Sequence, residues 1–243
     1  MSPPDDSPES LRRNADAPSD PVQLTERAEA LNDAGDYLQA LELLEGAIEA
    51  EPDFARAFVA RAWALENLGP EHDAEAEAAY EKAIALDPTN PWGLEGVAHR
   101  LELDGNVEEA KRLYRQAISA NRDASDPDVL EIIAWCHHRL GDETEAERVY
   151  RRALEIDPTR AATRFDLGLT LFMIGRGADG RTEVEAALRS LEGADPRVRG
   201  TTIQVALDDL QEAELLRPEL AAITDVGRVR VEMEAALSRL PDP

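Results

Sequence analysis

Two short motifs contain residue types that do chemistry in other proteins, a glycine string and a cysteine–histidine cluster. Residues 175–180 form the pattern G-x-G-x-x-G, which holds a dinucleotide pyrophosphate when a strand delivers the turn to a helix. Here the glycines follow a predicted helix, so we interpret the string as a turn. Cys136, His137 and His138 are adjacent, and adjacent helical side chains point about 100° apart, whereas ligands of one ion need i, i+4 spacing. We expect no metal or dinucleotide site in either motif.

The remaining candidates for catalysis are carboxylates and lysines. Acidic side chains fall at exposed helical positions such as Glu75, Glu77 and Glu81, which is typical of a solvated helix face. Lys82 and Lys111 are the only lysines in the chain, so sites that need a reactive or phosphate-binding lysine have few candidates. The sequence therefore predicts a protein that is not an enzyme and has no catalytic residue, cofactor or metal.

The charge of the 243-residue chain argues against binding to nucleic acid. It contains 26 lysines and arginines against 51 aspartates and glutamates, for a formal net charge of −25 at pH 7. A chain with this charge repels the phosphate backbone that supplies most nucleic-acid affinity. Two interpretations of the acidity stay open: it steers a positively charged partner, or it reflects genome composition or adaptation to salt.

The cysteine count and the hydropathy pattern indicate in which cellular compartment the protein is expected. Cys136 is the only cysteine, which excludes an intramolecular disulfide framework and is typical of a reducing environment. The N-terminal residues lack the apolar run of a signal peptide, and nowhere do about 18 apolar residues follow one another, as a membrane-spanning helix requires. We expect a soluble, cytoplasmic protein that does not interact with a membrane.

The chain contains an internal repeat. Glycines recur at spacings of 34, 36, 36 and 34 residues: Gly35, Gly69, Gly105, Gly141 and Gly175. Each follows a window with apolar residues at helical spacing, such as Phe58, Ala62 and Leu65, and precedes a second window of that kind. Small residues share the register: Ala28, Ala62, Ala98, Ala134 and Gly168 in the first window, and Ala47, Ala83, Ala117, Ala153 and Ala187 in the second. Every unit is predicted to be two helices joined by a glycine turn and packed through small contacts.

This pattern resembles the tetratricopeptide repeat family, whose signature places bulky, small, aromatic and proline residues over 34 positions. The second unit shows the match in full: Phe58, Ala62, Leu65, Ala76, Tyr80, Ala83 and Pro88. Five such units in phase cover residues 21–194. The departures are Arg164 at a bulky position, Gly180 at an alanine position, His137 at an aromatic position and two extra residues near 70–72.

The resemblance implies an all-α fold, a right-handed α-α solenoid of tandem helix-turn-helix repeats with a C-terminal helical cap. The predicted repeats are 21–54, 55–90, 91–126, 127–160 and 161–194. Residues 1–20 are rich in proline and acidic residues and are predicted to be a disordered tail. Residues 195–243 stay amphipathic and are assigned to capping helices, because the last repeat has no neighbour to cover it. Pro218 is expected to open the last helix.

In the family that this chain resembles, the first helices of successive repeats line a concave surface that binds peptides or partner helices. The corresponding positions here are Arg56, Val59, Trp63, Glu66, Trp92, Glu95, His99, Glu102, Glu131, Trp135, His138, Phe165, Leu169 and Phe172. They include all three tryptophans, none of which occupies the tryptophan position of the family signature. We favour a groove role for these rings, because tryptophan is enriched where a surface binds. The alternative is packing between neighbouring first helices.

The chemistry of these positions predicts the kind of partner. Some family members bind a C-terminal carboxylate through lysine, asparagine and arginine, but here the corresponding helices offer residues such as Thr25, Glu29 and Val59. Aromatic rings interleaved with glutamates favour instead a basic, amphipathic peptide or helix. The predicted function is a non-catalytic interaction scaffold or adaptor. The alternatives are a helical regulatory or enzymatic domain with a closed pocket and a self-assembling structural protein. The oligomeric state and whether the cap covers the groove stay open.

Overall fold

The computed structural model describes residues 20–240, in which all regular secondary structure is helical. The α-helices are α1 (Pro21–Asp33), α2 (Tyr37–Ala50), α3 (Ala55–Leu68), α4 (Asp73–Leu86), α5 (Pro91–Leu103), α6 (Val107–Ala120), α7 (Pro127–Arg139), α8 (Glu143–Ile156), α9 (Ala161–Met173), α10 (Gly177–Ser190), α11 (Pro196–Leu216) and α12 (Thr224–Leu237). Within that range no helix has both the length and the apolar composition to cross a bilayer. The all-α prediction is confirmed. The predicted tail, except for Asp20, and residues 241–243 lie outside the described residues.

Glycine turns join the two helices of each of the five hairpins, which run from α1–α2 to α9–α10. Four of these glycines have φ between 78° and 81°, the left-handed region that favours glycine: Gly35, Gly105, Gly141 and Gly175. After the first of them, the Asp36 amide donates to the Leu31 carbonyl over 2.8 Å and closes the turn. Gly69 has φ 132° and leads into a 3-10 turn, Pro70–His72. That turn accommodates the two extra residues of the second repeat.

The small residues of the repeat lie between the two helices of each hairpin and between hairpins. Nine alanines at these positions are fully buried: Ala28, Ala47, Ala62, Ala83, Ala98, Ala117, Ala134, Ala153 and Ala187. Buried tyrosines of the second helices, Tyr80, Tyr114 and Tyr150, fill the space beside them. Small side chains let helix axes approach closely, and the large rings restore the packing density of the interior.

The fifth hairpin departs from the repeat pattern for identifiable reasons. A Cβ on Gly180 would lie 2.8 Å from the Gly168 carbonyl oxygen, so the alanine expected at 180 does not fit this close crossing. Arg164, at the bulky position, pairs with Glu183 over 2.7 Å and donates to the Pro158 carbonyl over 3.0 Å. An ion pair and a hydrogen bond of Arg164 thus replace the apolar contact expected at this position of the repeat.

Two local predictions need correction. The interpretation of residues 175–180 as a turn holds for Gly175 alone, because α10 begins at Gly177. Pro218 opens a 3-10 turn, Pro218–Ala222, and the last helix begins only at Thr224. The prolines that do begin α-helices follow Asp20, Asn90, Asp126 and Asp195, whose side chains accept hydrogen bonds from backbone amides of the first helical turn.

The two C-terminal helices take different positions. Helix α12 packs on α10, beside the last repeat, and buries Val226, Val229 and Met233. Helix α11 packs on α9 and α12 and also contacts α1 at the other end of the repeat array. It therefore lies on the side of the first helices rather than continuing the stack.

Candidate partner-binding groove

The candidate site is the surface formed by the first helices, α1, α3, α5, α7 and α9, which we call the groove. Neighbouring first helices such as α1 and α3, or α5 and α7, contact one another. Helical periodicity repeats the same side of each helix every three to four residues, so one set of side chains from each repeat faces the same surface. Most of the predicted binding residues are partly buried there.

The three tryptophans are half-buried. Trp63 packs edge-to-face on Tyr37, with ring centroids 5.8 Å apart and an interplanar angle of 69°. Trp135 stacks on His138 at 5.1 Å and 20°, and the guanidinium of Arg139 lies 5.8 Å from its ring centroid. Each of these two rings is thus held by neighbours on one side and keeps some accessible surface.

Carboxylates from four successive repeats form a row along the groove. We call Glu66, Glu95, Glu102, Glu131 and Asp166 the acidic row. The hydroxyl of Tyr80 donates to Glu66 over 2.8 Å, and that of Tyr114 donates to Glu102 over 3.1 Å. Glu131 accepts hydrogen bonds from Thr163 and from Arg160. The second helices therefore hold two of these carboxylates in place from beneath.

Burial and mutual repulsion make part of this row reluctant to ionise. Burial, with the charge of Glu66, raises the pKa of Glu95 to about 7. Burial, with the charge of Glu131, raises the pKa of Asp166 well above its usual range. The pKa of Glu66 is also raised, mainly by burial. A cation brought to the groove would stabilise the ionised forms of these groups.

Two arginines partly neutralise the acidic row. Arg139, whose side chain is only 8% exposed, pairs with Glu102 over 2.9 Å. Arg160 pairs with Glu131 over 3.1 Å and with Asp128 over 2.6 Å. Among residues 20–240, ion pairs link arginines to only two of the five carboxylates of the row, Glu102 and Glu131. Burial and the charge of Arg139 lower the pKa of His99 and favour its neutral form.

Asp166, Arg139 and Arg160 are site residues that the sequence analysis missed. Asp166 lies one position after Phe165, off the register used to select groove positions. A signal was present, because Asp166 is the only acidic residue in an otherwise mainly apolar helix. Arg139 lies at the end of its helix, where a basic residue is expected simply to face solvent, and only its distant partners show that it is buried.

The two ends of the predicted residue set behave differently. Arg56 forms an exposed ion pair with Glu29 over 2.6 Å, and Val59 is half-buried. At the other end, Phe165, Leu169 and Phe172 belong to a buried cluster with residues of α11 and α12. The cavity that remains among these helices is about 20 Å³ in volume, room for one water molecule. The fifth repeat therefore offers no open groove in this structure.

Helix α11 covers this part of the groove and reaches both ends of it. Its first turn is tied to the first hairpin by Arg197 and Asp36, whose side chains pair over 2.6 Å. Its last turns are tied to the fourth hairpin, where Glu212 pairs with Arg139 over 2.7 Å. Whether the cap reaches the groove, which the sequence leaves open, is thus decided: α11 crosses it.

The cysteine and histidines that are adjacent in sequence do not converge in space. Cys136 is fully buried in the core of the third and fourth repeats. His138 Nδ1 lies 2.8 Å from Glu143 Oε2, and His137 Nδ1 lies 3.4 Å from Asp142 Oδ2. Within residues 20–240 no three histidine, cysteine or acidic side chains are grouped as a metal would require.

Comparison with known proteins identifies the family. A model of the family described as tetratricopeptide repeat matches residues 25–91 and 104–161. The chain belongs to the tetratricopeptide repeat family. The two matched segments together cover half of the chain and include seven of the fourteen residues predicted to line the groove. Tetratricopeptide repeats stack into solenoids whose concave surfaces serve as extended binding surfaces.

Curated relatives share the repeats over part of their length. Cellulose synthase operon protein C of Pseudomonas fluorescens is 28% identical over 188 residues, which is 74% of this chain and 14% of that protein. Human tetratricopeptide repeat protein 7A is 33% identical over 89 residues, which is 37% of this chain and 10% of that protein. The chain therefore spans only about a seventh or less of these relatives.

Among solved structures, PilW has a similar repeat fold. PilW, described as a widely conserved type IV pilus biogenesis factor, is 18% identical with a TM-score of 0.50, covering 86% of this chain and 97% of PilW. YrrB, described as a tetratricopeptide repeat protein with an unusual peptide-binding site, is 19% identical with a TM-score of 0.41, covering 79% of this chain and 97% of YrrB. At 18% identity the similarity to PilW concerns the fold alone.

Proposed function

We propose that the protein is a non-catalytic scaffold that binds a basic, amphipathic peptide or helix of a partner protein in the groove. The observation that carries this proposal is the acidic row, in which ion pairs to arginines reach two of five carboxylates, Glu102 and Glu131, within residues 20–240. Arginine or lysine side chains of a partner would supply the missing positive charge. The interaction would gain both complementarity and faster association from the net charge of −25.

The aromatic residues supply the apolar and cation–π part of the same surface. Trp63 and Trp135 are each packed on one neighbour and partly exposed. The guanidinium of Arg139 lies over the Trp135 ring. This is the same kind of cation–π contact that we propose for a partner's arginines. Rigid, half-buried aromatic rings are typical anchors of protein interfaces.

A pair of designed peptides tests the proposal directly. The first, which we call the arginine peptide, is a helix of about 20 residues, about 30 Å long, with leucines on one face and arginines on the other. The second carries glutamates in place of the arginines. Binding is followed through the intrinsic fluorescence of the three tryptophans and by calorimetry. We expect the arginine peptide alone to bind, and its affinity to fall as ionic strength rises.

Two substitutions assign the binding to the groove. Glu66→Gln removes one charge of the acidic row and should weaken binding of the arginine peptide, whereas Glu109→Gln removes an exposed charge outside the groove and should not. Trp63→Ala should cost more affinity than Ile156→Ala, a truncation of an exposed side chain on a second helix.

Specific outcomes contradict the proposal. Equal binding of the glutamate peptide, or an affinity that does not change with salt, would show that the acidic row is not the recognition element. If Trp63→Ala lowers the melting temperature strongly and leaves the affinity unchanged, the ring is a packing residue. Turnover of a substrate at the groove would favour the enzymatic alternative.

A further inference from the structure

Helix α11 lies in the groove as a bound segment would. It has 21 residues, about 30 Å at the rise of an α-helix. Arg197 is tied to the first hairpin and Glu212 to the fourth. Near the first of these contacts, a Cβ on Gly35 would lie only 3.5 Å from Thr201 Oγ1. A single helix therefore connects hairpins that are three repeats apart.

The underside of α11 is apolar, as expected of an amphipathic helix in a groove. Ile203, Leu210 and Ala213 are at most 4% exposed. They pack in one cluster with the groove residues Phe165 and Leu169 and with α12. The spacing of seven and three residues places all three side chains on one face of α11. Burial of these side chains is the main favourable term that holds α11 in the groove.

One negative charge of α11 lies close to the negative charges of the groove. Asp209 is brought to the acidic row, where its charge raises the pKa of Glu95 and of Asp166. Its own pKa rises to about 7 through burial and the charge of Glu212, although His138 and Arg139 oppose the rise. The nearby hydroxyl of Tyr150 is fully buried and has no hydrogen-bond partner among the described residues. Asp209 thus adds an acidic group at a place close to Glu212 and to carboxylates of the acidic row.

We propose that α11 is a releasable occupant of the groove, which a basic amphipathic helix of the partner displaces by placing a cation where Asp209 now lies. This inference rests on the proposed function and specifies how the site is regulated. Apolar contacts and the two terminal ion pairs hold α11 in place. The negative charges near Asp209 keep the affinity of α11 for the groove below that of a basic ligand of the same shape.

A reversible crosslink tests the displacement. The double variant Gly35→Cys/Thr201→Cys places two thiols within reach of each other, and Cys136 is fully buried and does not compete. Oxidation should lock α11 onto the first hairpin, and the reduced form of the same protein is the control for strain at position 35. We expect the arginine peptide to bind the oxidised form at least about tenfold more weakly than the reduced form, because the binding-competent state is removed.

The outcomes separate the two proposals. Equal affinity for the oxidised and reduced forms would overturn the release of α11 and leave the proposed function standing. Absence of binding to both forms and to the wild type would overturn both proposals. Hydrogen exchange gives a direct readout, because displacement should remove the protection of α11 amides when the arginine peptide is added to the reduced form.

A matched pair of variants tests the inference without a crosslink. Asp209→Asn and Glu212→Gln each remove one negative charge from α11, three residues apart, with little change in shape. Asp209→Asn should raise the affinity of α11 for the groove and therefore weaken binding of the arginine peptide. Glu212→Gln removes the ion pair with Arg139 and should strengthen binding of the arginine peptide. Arg139 keeps its other partner, Glu102. Shifts in the same direction would indicate a simple effect of net charge and overturn the inference.

Discussion

Replacement of Glu95 by glutamine tests whether the acidic row destabilises the fold at neutral pH. In the folded chain burial and the charge of Glu66 raise the pKa of Glu95 from 4.5 to about 7. Between these two pH values the folded chain keeps a proton that the unfolded chain has lost, so stability falls as pH rises through this window. Above about pH 7 the carboxylate is ionised in both states and its cost is constant. Glutamine keeps the shape of the protonated acid and does not titrate.

The pKa difference sets the size of the effect. It corresponds to about 3 kcal/mol at pH values above both pKa values. At pH 5 most of the folded molecules still hold the proton, and the same relation gives an advantage of only about 1 kcal/mol for glutamine. The Glu95→Gln variant should therefore be more stable than the wild type by an amount that grows by about 2 kcal/mol between pH 5 and pH 8.

Urea unfolding at pH 5, 6, 7 and 8, followed by circular dichroism, measures this difference. Comparison with the wild type at each pH removes the effect of general charge repulsion, which both proteins share. Glu109→Gln is the matched control: this glutamate is exposed, and Arg112 lowers its pKa. The control removes the same charge but should show no gain that appears between pH 5 and pH 8.

Either of two results would refute the reasoning. One is a Glu95→Gln variant no more stable than the wild type at pH 8, which would mean that the carboxylate is well solvated. The other is an advantage that is the same at pH 5 and pH 8, which would indicate better packing of glutamine rather than a shifted titration.

Further predictions concern packing and hydrogen bonding, each measured as a change in the free energy of unfolding in urea. Gly180→Ala should destabilise the protein by about 1–3 kcal/mol, because the new Cβ would clash with the Gly168 carbonyl oxygen. Gly227→Ala should instead stabilise the protein by up to about 1 kcal/mol, because the space around this position on α12 is open. A loss at both sites would contradict this contrast. Tyr150→Phe should be neutral or stabilising because its buried hydroxyl has no partner, whereas Tyr114→Phe should cost about 1 kcal/mol by removing a hydrogen bond. Equal costs would mean that the hydroxyl of Tyr150 is satisfied after all.

The residues of the candidate site were predictable to the extent that they follow the repeat register. Trp63, Trp135 and Glu131 belong to that set, and the structure places them on the first helices as half-buried side chains. Asp166 falls off the register, and the role of Arg139 depends on Glu102 and Glu212, which are 37 and 73 residues away in the chain. No local pattern encodes contacts of that separation.

The sequence by itself determined the repeating unit of this protein. Glycine turns, paired small residues and apolar spacing act within about 35 residues, and each hairpin satisfies its own turn and packing through local contacts. Only the tertiary structure decided what fills the groove and how strongly its carboxylates are perturbed. The position of α11 in the groove and the pKa of Glu95 depend on how five hairpins and one long helix pack together. Burial and charge act through space rather than along the chain, so no local sequence pattern determines them.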